Sequence, residues 1–85
     1  MTTILLPDTL TAANSKDLLR NCTKQLRSGA LCLDGSNLAS MDYSGDAFFA
    51  LLAELSEKTG NALTLAHFNA DIKAHLSALR KMEPP

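Results

Sequence analysis

Three short apolar runs set what this chain can fold into. They are Thr3-Ile4-Leu5-Leu6, Ala30-Leu31-Cys32-Leu33-Asp34 and Ala62-Leu63-Thr64-Leu65-Ala66, and a stretch with helical spacing follows each. Strand, helix, strand, helix, strand, helix implies parallel pairing with right-handed βα crossovers, because each helix carries the chain back along the sheet. The middle run is apolar on both faces until Asp34, as a central parallel strand requires. Pro7 has no N–H to give to a ladder, so the first strand stops there or lies on an edge. The chain has no Val, so the strands are read from Ile, Leu and context rather than from β-propensity. The expected class is α/β, a small, mostly parallel sheet. One domain spans 1–85, with 82–85 as a frayed tail. A chain of 85 residues buries one core and little more.

The helical stretches have readable ends. In the first, Asn14 is expected to be the N-cap, with Asp17 three residues on in the capping position. Leu18, Leu19, Cys22 and Leu26 face inward, Lys16, Arg20, Lys24 and Arg27 take the opposite side, and Gly29 supplies a left-handed end. The second runs from about Gly45 to Lys58 and closes at Gly60-Asn61. Phe48, Leu51, Leu52 and Leu55 form its buried stripe, and Phe49 falls beside it, partly exposed. Glu54 and Lys58 make an i,i+4 pair. The third starts at Ala70 under an Asn69 cap, with Ile72, Leu76 and Leu79 as its apolar face and Glu83-Pro84-Pro85 as its tail. Leu33, Leu38, Met41, Phe48, Leu52, Leu65, Ile72 and Leu76 are expected to be buried together.

Composition removes several function classes. A formal net charge of −1 and a pI near 6.0 leave no electrostatic footprint for nucleic acid. The apolar runs are far too short to span a bilayer, and Met1 to Leu6 lacks the basic start of a signal peptide, so a cytoplasmic location is expected. Cys22 and Cys32 form no CxxC pair and read as buried thiols. His67 and His75 have no partner at metal-ligand spacing, and no Gly-rich loop cradles a phosphate, so no metal and no cofactor are expected. Ser44, His67 and Asp42 lack a nucleophile elbow, and the chain does not read as an enzyme.

In parallel sheets, ligand and partner sites gather beyond the carboxyl ends of the strands. Three loops share that edge: Pro7 to Thr11, Gly35 to Ser44, and His67 to Asn69. The longest ends at Ser44, where the second helix begins. A Ser there is either a plain N-cap, bonded to the N–H of Asp46 or Ala47, or a place where a phosphate acts strongly on a helix start.

The stretch Leu33-Asp34-Gly35-Ser36-Asn37-Leu38-Ala39-Ser40-Met41-Asp42-Tyr43-Ser44-Gly45 resembles the signature of STAS domains, the family named for sulfate transporters and anti-sigma factor antagonists. The shared pattern is an apolar strand ending in Asp or Asn, a Leu four residues later, then an apolar residue and Asp-x-Ser/Thr-Gly opening a helix. Gly60-Asn61-Ala62-Leu63-Thr64-Leu65 resembles the family's next strand, and Leu5 to Asn14 resembles its first strand and helix entry. The resemblance implies a STAS fold and a non-enzymatic module for protein–protein interaction. It implies phosphorylation of Ser44 by a partner serine kinase that is also an anti-sigma factor, and the implied partner is that kinase or another signalling protein. Asp42, Tyr43, Gly45, Asp46, Phe49, His67 and Asn69 are the implied partner surface. Partner switching in a bacterial pathway that regulates transcription is the implied role. The chain departs from the family at Tyr43, where many antagonists have a second Ser, and at Asp46, where an apolar residue is usual. The first strand of the family's opening hairpin is also missing. Small STAS proteins include a second type, the constitutive cytoplasmic subunit of bacterial phospholipid-transport ABC systems, which needs no kinase.

Overall fold

The computed structural model describes residues 1–81, with side chains through Leu76. The expected tail at 82–85 and the side chain of Leu79 lie outside the described residues. In chain order the elements are β1 (Thr2–Leu5), β2 (Thr9–Leu10), α1 (Ala12–Ser28), β3 (Leu31–Asp34), β4 (Ser40–Met41), α2 (Tyr43–Thr59), β5 (Leu63–Ala66) and α3 (Ala70–Lys81). The main sheet has the order β1-β3-β5, and both pairings are parallel. Thr3, Cys32 and Thr64 stand in one row, and Ile4, Leu33 and Leu65 in the next. This is the α/β alternation that the three apolar runs imply.

The central strand divides the molecule. Leu31 and Leu33 are fully buried, while Cys32 and Asp34 between them are half-buried. Alternation along a strand sends successive side chains to opposite faces. Leu31 and Leu33 thus enter one cluster with Cys22 and Leu26 of α1 and with Phe48, Phe49 and Leu52 of α2, and the two helices pack on each other over it. Leu6, Leu10, Leu38 and Ile72 complete the cluster, with Met41 and Leu76 partly buried against it. Cys32 is thus on the less covered face and is not the buried thiol expected. Cys22 is fully buried.

Three expectations about the core change. Phe49 is 6% exposed and belongs to the core, whereas Leu51 is 50% exposed. The buried face of α2 is rotated toward Phe49 because that ring meets Phe48 edge-on at 5.1 Å and Phe68 at 5.7 Å. Leu65 is 44% exposed, although it stands in register beside buried Leu33. It sits on the outer strand, beyond which no further strand flanks it among the described residues.

Helix ends also differ in detail. Thr11 is the N-cap of α1, and Asn14 is its third residue, not the cap. The Thr11 N–H donates to Asn14 Oδ1 at 2.9 Å, and Asn14 Nδ2 donates to the Thr9 carbonyl at 2.8 Å. Gly29 is extended (φ 162°), so it does not supply the left-handed turn. That turn is at Gly60 (φ 74°), whose N–H donates to the Ser56 carbonyl at 2.9 Å. Beside it, Asn61 Nδ2 reaches the Leu26 carbonyl at 2.7 Å, satisfying an end group of α1 from the far side of the chain. Asn69 caps α3 as expected, its Oδ1 accepting the Ile72 N–H at 2.8 Å.

Burial pushes the Cys22 thiol up from 9.0 to about 11. A raised native value stabilises the fold fully below the unfolded thiol's value and loses that contribution as pH rises through the native one. Chemical denaturation from pH 8 to 11 is therefore expected to show a fall in stability between pH 9 and 11. That part of the fall should be absent in Cys22→Ala, whose stability at pH 7 sets the baseline.

Candidate functional site

The site is the loop from Gly35 to Asp42 and the helix start that it delivers. Backbone bonds fix the loop at both ends. The Gly35 N–H donates to the Ala66 carbonyl at 2.8 Å, continuing the β5 ladder, and the Leu38 N–H turns back to the Gly35 carbonyl at 3.0 Å. The Ser36 N–H donates to Asp34 Oδ1 at 2.9 Å. That bond, with the Ser36 side chain and the nearby charge of His67, holds the Asp34 carboxyl below the usual range. At the other end, Ala39 N–H donates to the Asp8 carbonyl at 2.8 Å and Asp42 N–H to the Leu10 carbonyl at 3.1 Å. These bonds flank the two-residue parallel pairing of β2 with β4, Thr9 beside Ser40 and Leu10 beside Met41. Segments this short carry no period, so no sequence pattern announces them. They nonetheless decide where α2 begins.

Asp42, not Ser44, caps α2. Its Oδ1 accepts the Ser44 N–H at 2.8 Å, and its carbonyl accepts the Gly45 N–H at 2.9 Å. The helix therefore starts at Tyr43, and Ser44 is its second residue, half-buried. Among the described residues the Ser44 hydroxyl has no hydrogen-bond partner, so it is spare. Tyr43 is 81% exposed beside it. The glycine at 45 has a local reason. A Cβ there would meet Met41 Cβ at 2.8 Å and Met41 Sδ at 2.9 Å, so Met41 lies across the bare backbone. Gly45 is consequently buried. Phe49 is buried too, its ring packed against Phe48 and Phe68.

Asp46 is engaged within the chain. Its Oδ1 lies 2.6 Å from His75 Nε2 of α3, a contact no spacing rule reveals because 29 residues separate the two. A protonated His75 makes this an ion pair at the start of α2. His67 and Asn69 complete the edge. His67 is exposed and adopts the left-handed region at φ 61°, which is uncommon for a residue with a Cβ. The turn this makes directs Phe68 inward over Gly35, where a Cβ would lie 2.6 Å from the ring. Asn69 Nδ2 donates to the Leu38 carbonyl at 3.2 Å while its Oδ1 caps α3, so both ends of its amide hold the loops together.

The parallel sheet thus brings Pro7, Ser44, His67 and Asn69 to one edge, with Asp42, Tyr43 and Asp46 beside Ser44. No group of three or more His, Cys, Asp or Glu able to hold a metal ion occurs among the described residues. No helix among them is long and apolar enough to cross a membrane. No protein-family model matches the chain, and a search of curated proteins finds no significant match.

Asp42→Ala removes the cap and leaves the Ser44 N–H without its acceptor. Loss of such a cap costs about 1 kcal/mol. Urea denaturation is expected to report that loss, with Asp42→Asn retaining most of the stability, because an Asn oxygen caps as well.

Proposed function

We propose that the chain is a STAS-type module, a non-enzymatic protein-interaction domain of a bacterial signalling pathway. Its binding is switched by phosphorylation of Ser44, in the manner of an anti-sigma factor antagonist acting in the cytoplasm. One observation carries the reading most. Ser44 stands at the second position of α2, with a spare hydroxyl, on the edge where three parallel strands deliver their loops. The cap of that helix belongs to Asp42, so modification of Ser44 leaves the helix start intact. Exposed Tyr43 supplies apolar contact area next to the hydroxyl. The partner is a protein, a serine kinase with anti-sigma activity or a related signalling protein, and catalysis by the chain itself is not invoked.

Recovery of the protein from its native host tests this. Mass spectrometry is expected to find phosphate on Ser44. A pull-down with the unmodified protein is expected to retain a protein partner that Ser44→Asp releases. An unmodified Ser44 together with equal retention by both forms would overturn the switch. It would favour a constitutive subunit, such as that of a phospholipid-transport ABC system.

A further inference from the structure

We propose that the outer face of α1 is a docking surface for an acidic helical segment of a partner protein. Lys16, Arg20, Lys24 and Arg27 are all exposed. Their spacing of i, i+4, i+8 and i+11 lines them up on one side of the helix over about 17 Å. The charge is concentrated there. α1 holds four of the eight cations against one acid, Asp17, for a net charge of +3. The other four cations stand against eight acids elsewhere, a net −4. Among the described residues the ion pairs are Glu54–Lys58 and Asp46–His75, and neither touches the stripe.

Such a stripe works against its own helix. Like charges at i,i+4 oppose helix formation, and Lys16, Arg20 and Lys24 are two such steps in succession. The outer face of α2 shows the opposite arrangement, with Glu54 followed by Lys58 at 3.0 Å. Asp17, three residues before Arg20, and the helix C-terminus beside Arg27 offset the repulsion on α1 only in part, and carboxylates from a partner would add to that.

The floor between the cations decides the class of partner. Leu19 and Thr23 are half-buried there and line a shallow groove with the four basic side chains. An anionic membrane would meet the charges, but surface-lying helices also sink an apolar face into the bilayer. The apolar face of α1, Cys22 and Leu26, is fully buried in the core. Leu19 is too recessed to replace it. A partner helix with acids at i,i+4 spacing places carboxylates over the stripe and an apolar side chain over Leu19. This surface is distinct from the Ser44 edge, and the proposal does not depend on the reading of that edge.

The probe is a synthetic 18-residue helical peptide with Glu at i, i+4, i+8 and i+11 and Leu at i+3 and i+7. Its comparators are the same peptide with Gln for Glu and vesicles of phosphatidylglycerol. Fluorescence anisotropy at 50 mM NaCl is expected to show binding of the Glu peptide at least tenfold tighter than of the Gln peptide. Arg20→Glu is expected to weaken the Glu peptide at least tenfold. The same substitution places opposite charges beside Lys16 and Lys24, so its melting temperature should hold or rise, which separates lost docking from lost folding. Equal binding of the two peptides, or full binding by a folded Arg20→Glu, would overturn the proposal. So would capture of the protein by the vesicles without binding of the Glu peptide, which would make the face a lipid contact.

Discussion

Leu52→Ala is expected to destabilise the fold by about 2–5 kcal/mol, read as a lower urea midpoint at unchanged slope. Leu52 is fully buried among side chains of both helices and the central strand. Its truncation removes apolar contact and leaves a cavity that packed neighbours fill only in part. The adjacent residue is the control. Leu51 is 50% exposed, so Leu51→Ala is expected to stay within about 0.5 kcal/mol of wild type. Stability of a small domain is itself only about 5–15 kcal/mol, so the first substitution removes a large share of it and the second does not. Equal effects at the two positions would mean that the buried face of α2 is centred one residue earlier than Phe49 sets it.

That pair also marks how far the sequence is legible. Leu51 and Leu52 both fit a helical stripe that contains Phe48 and Leu55, and spacing cannot choose between them. The choice is made by Phe68, which reaches Phe49 from a turn after β5 and recruits it into the core. Contacts between residues that distant leave no local trace. The same holds for Asp46 with His75 and for Asn61 with the Leu26 carbonyl. The strand–helix alternation, by contrast, is written locally. Each apolar run is four or five residues long and bounded by Pro, Gly or Asn, so the parallel pairing follows from crossover geometry, and the central place of β3 from the apolar character of the middle run on both faces.

The candidate site was half legible for a related reason. An Asp and a Ser two residues apart before a Gly both suit a helix start, and both are good caps. Which of them caps depends on where the backbone first turns. That is fixed outside the motif, by the pairing of Leu10 with Met41 and the bond from Asp42 N–H to Leu10. The pairing starts the helix at Tyr43 and gives the cap to Asp42. It seats Met41 on Gly45 as well, which explains the glycine by contact and not by backbone conformation. The hydroxyl of Ser44 is left over from this arrangement.

A spare hydroxyl at the second position of a helix makes a particular prediction about charge. A phosphate on Ser44 adds about 1.5 to 2 negative charges next to the N–H groups of the first turn. The helix dipole favours it by about 0.3–1 kcal/mol. The carboxylates of Asp42 and Asp46 lie within the same turn and oppose it. The two effects are similar in size, so the melting temperature is expected to change by no more than a few degrees. Binding should change far more. A charge buried without a counter-charge in an interface costs about 2–5 kcal/mol, which is roughly 30-fold to several thousandfold in affinity. Titration calorimetry with the partner recovered through the unmodified protein is expected to show Ser44→Ala binding as wild type does. Ser44→Asp should bind at the weak end of that range, since one charge and two oxygens stand in for a phosphate. Phosphorylated protein should bind more weakly still. A Ser44→Asp affinity equal to that of Ser44→Ala would place the hydroxyl outside the interface and would remove Ser44 as the switch.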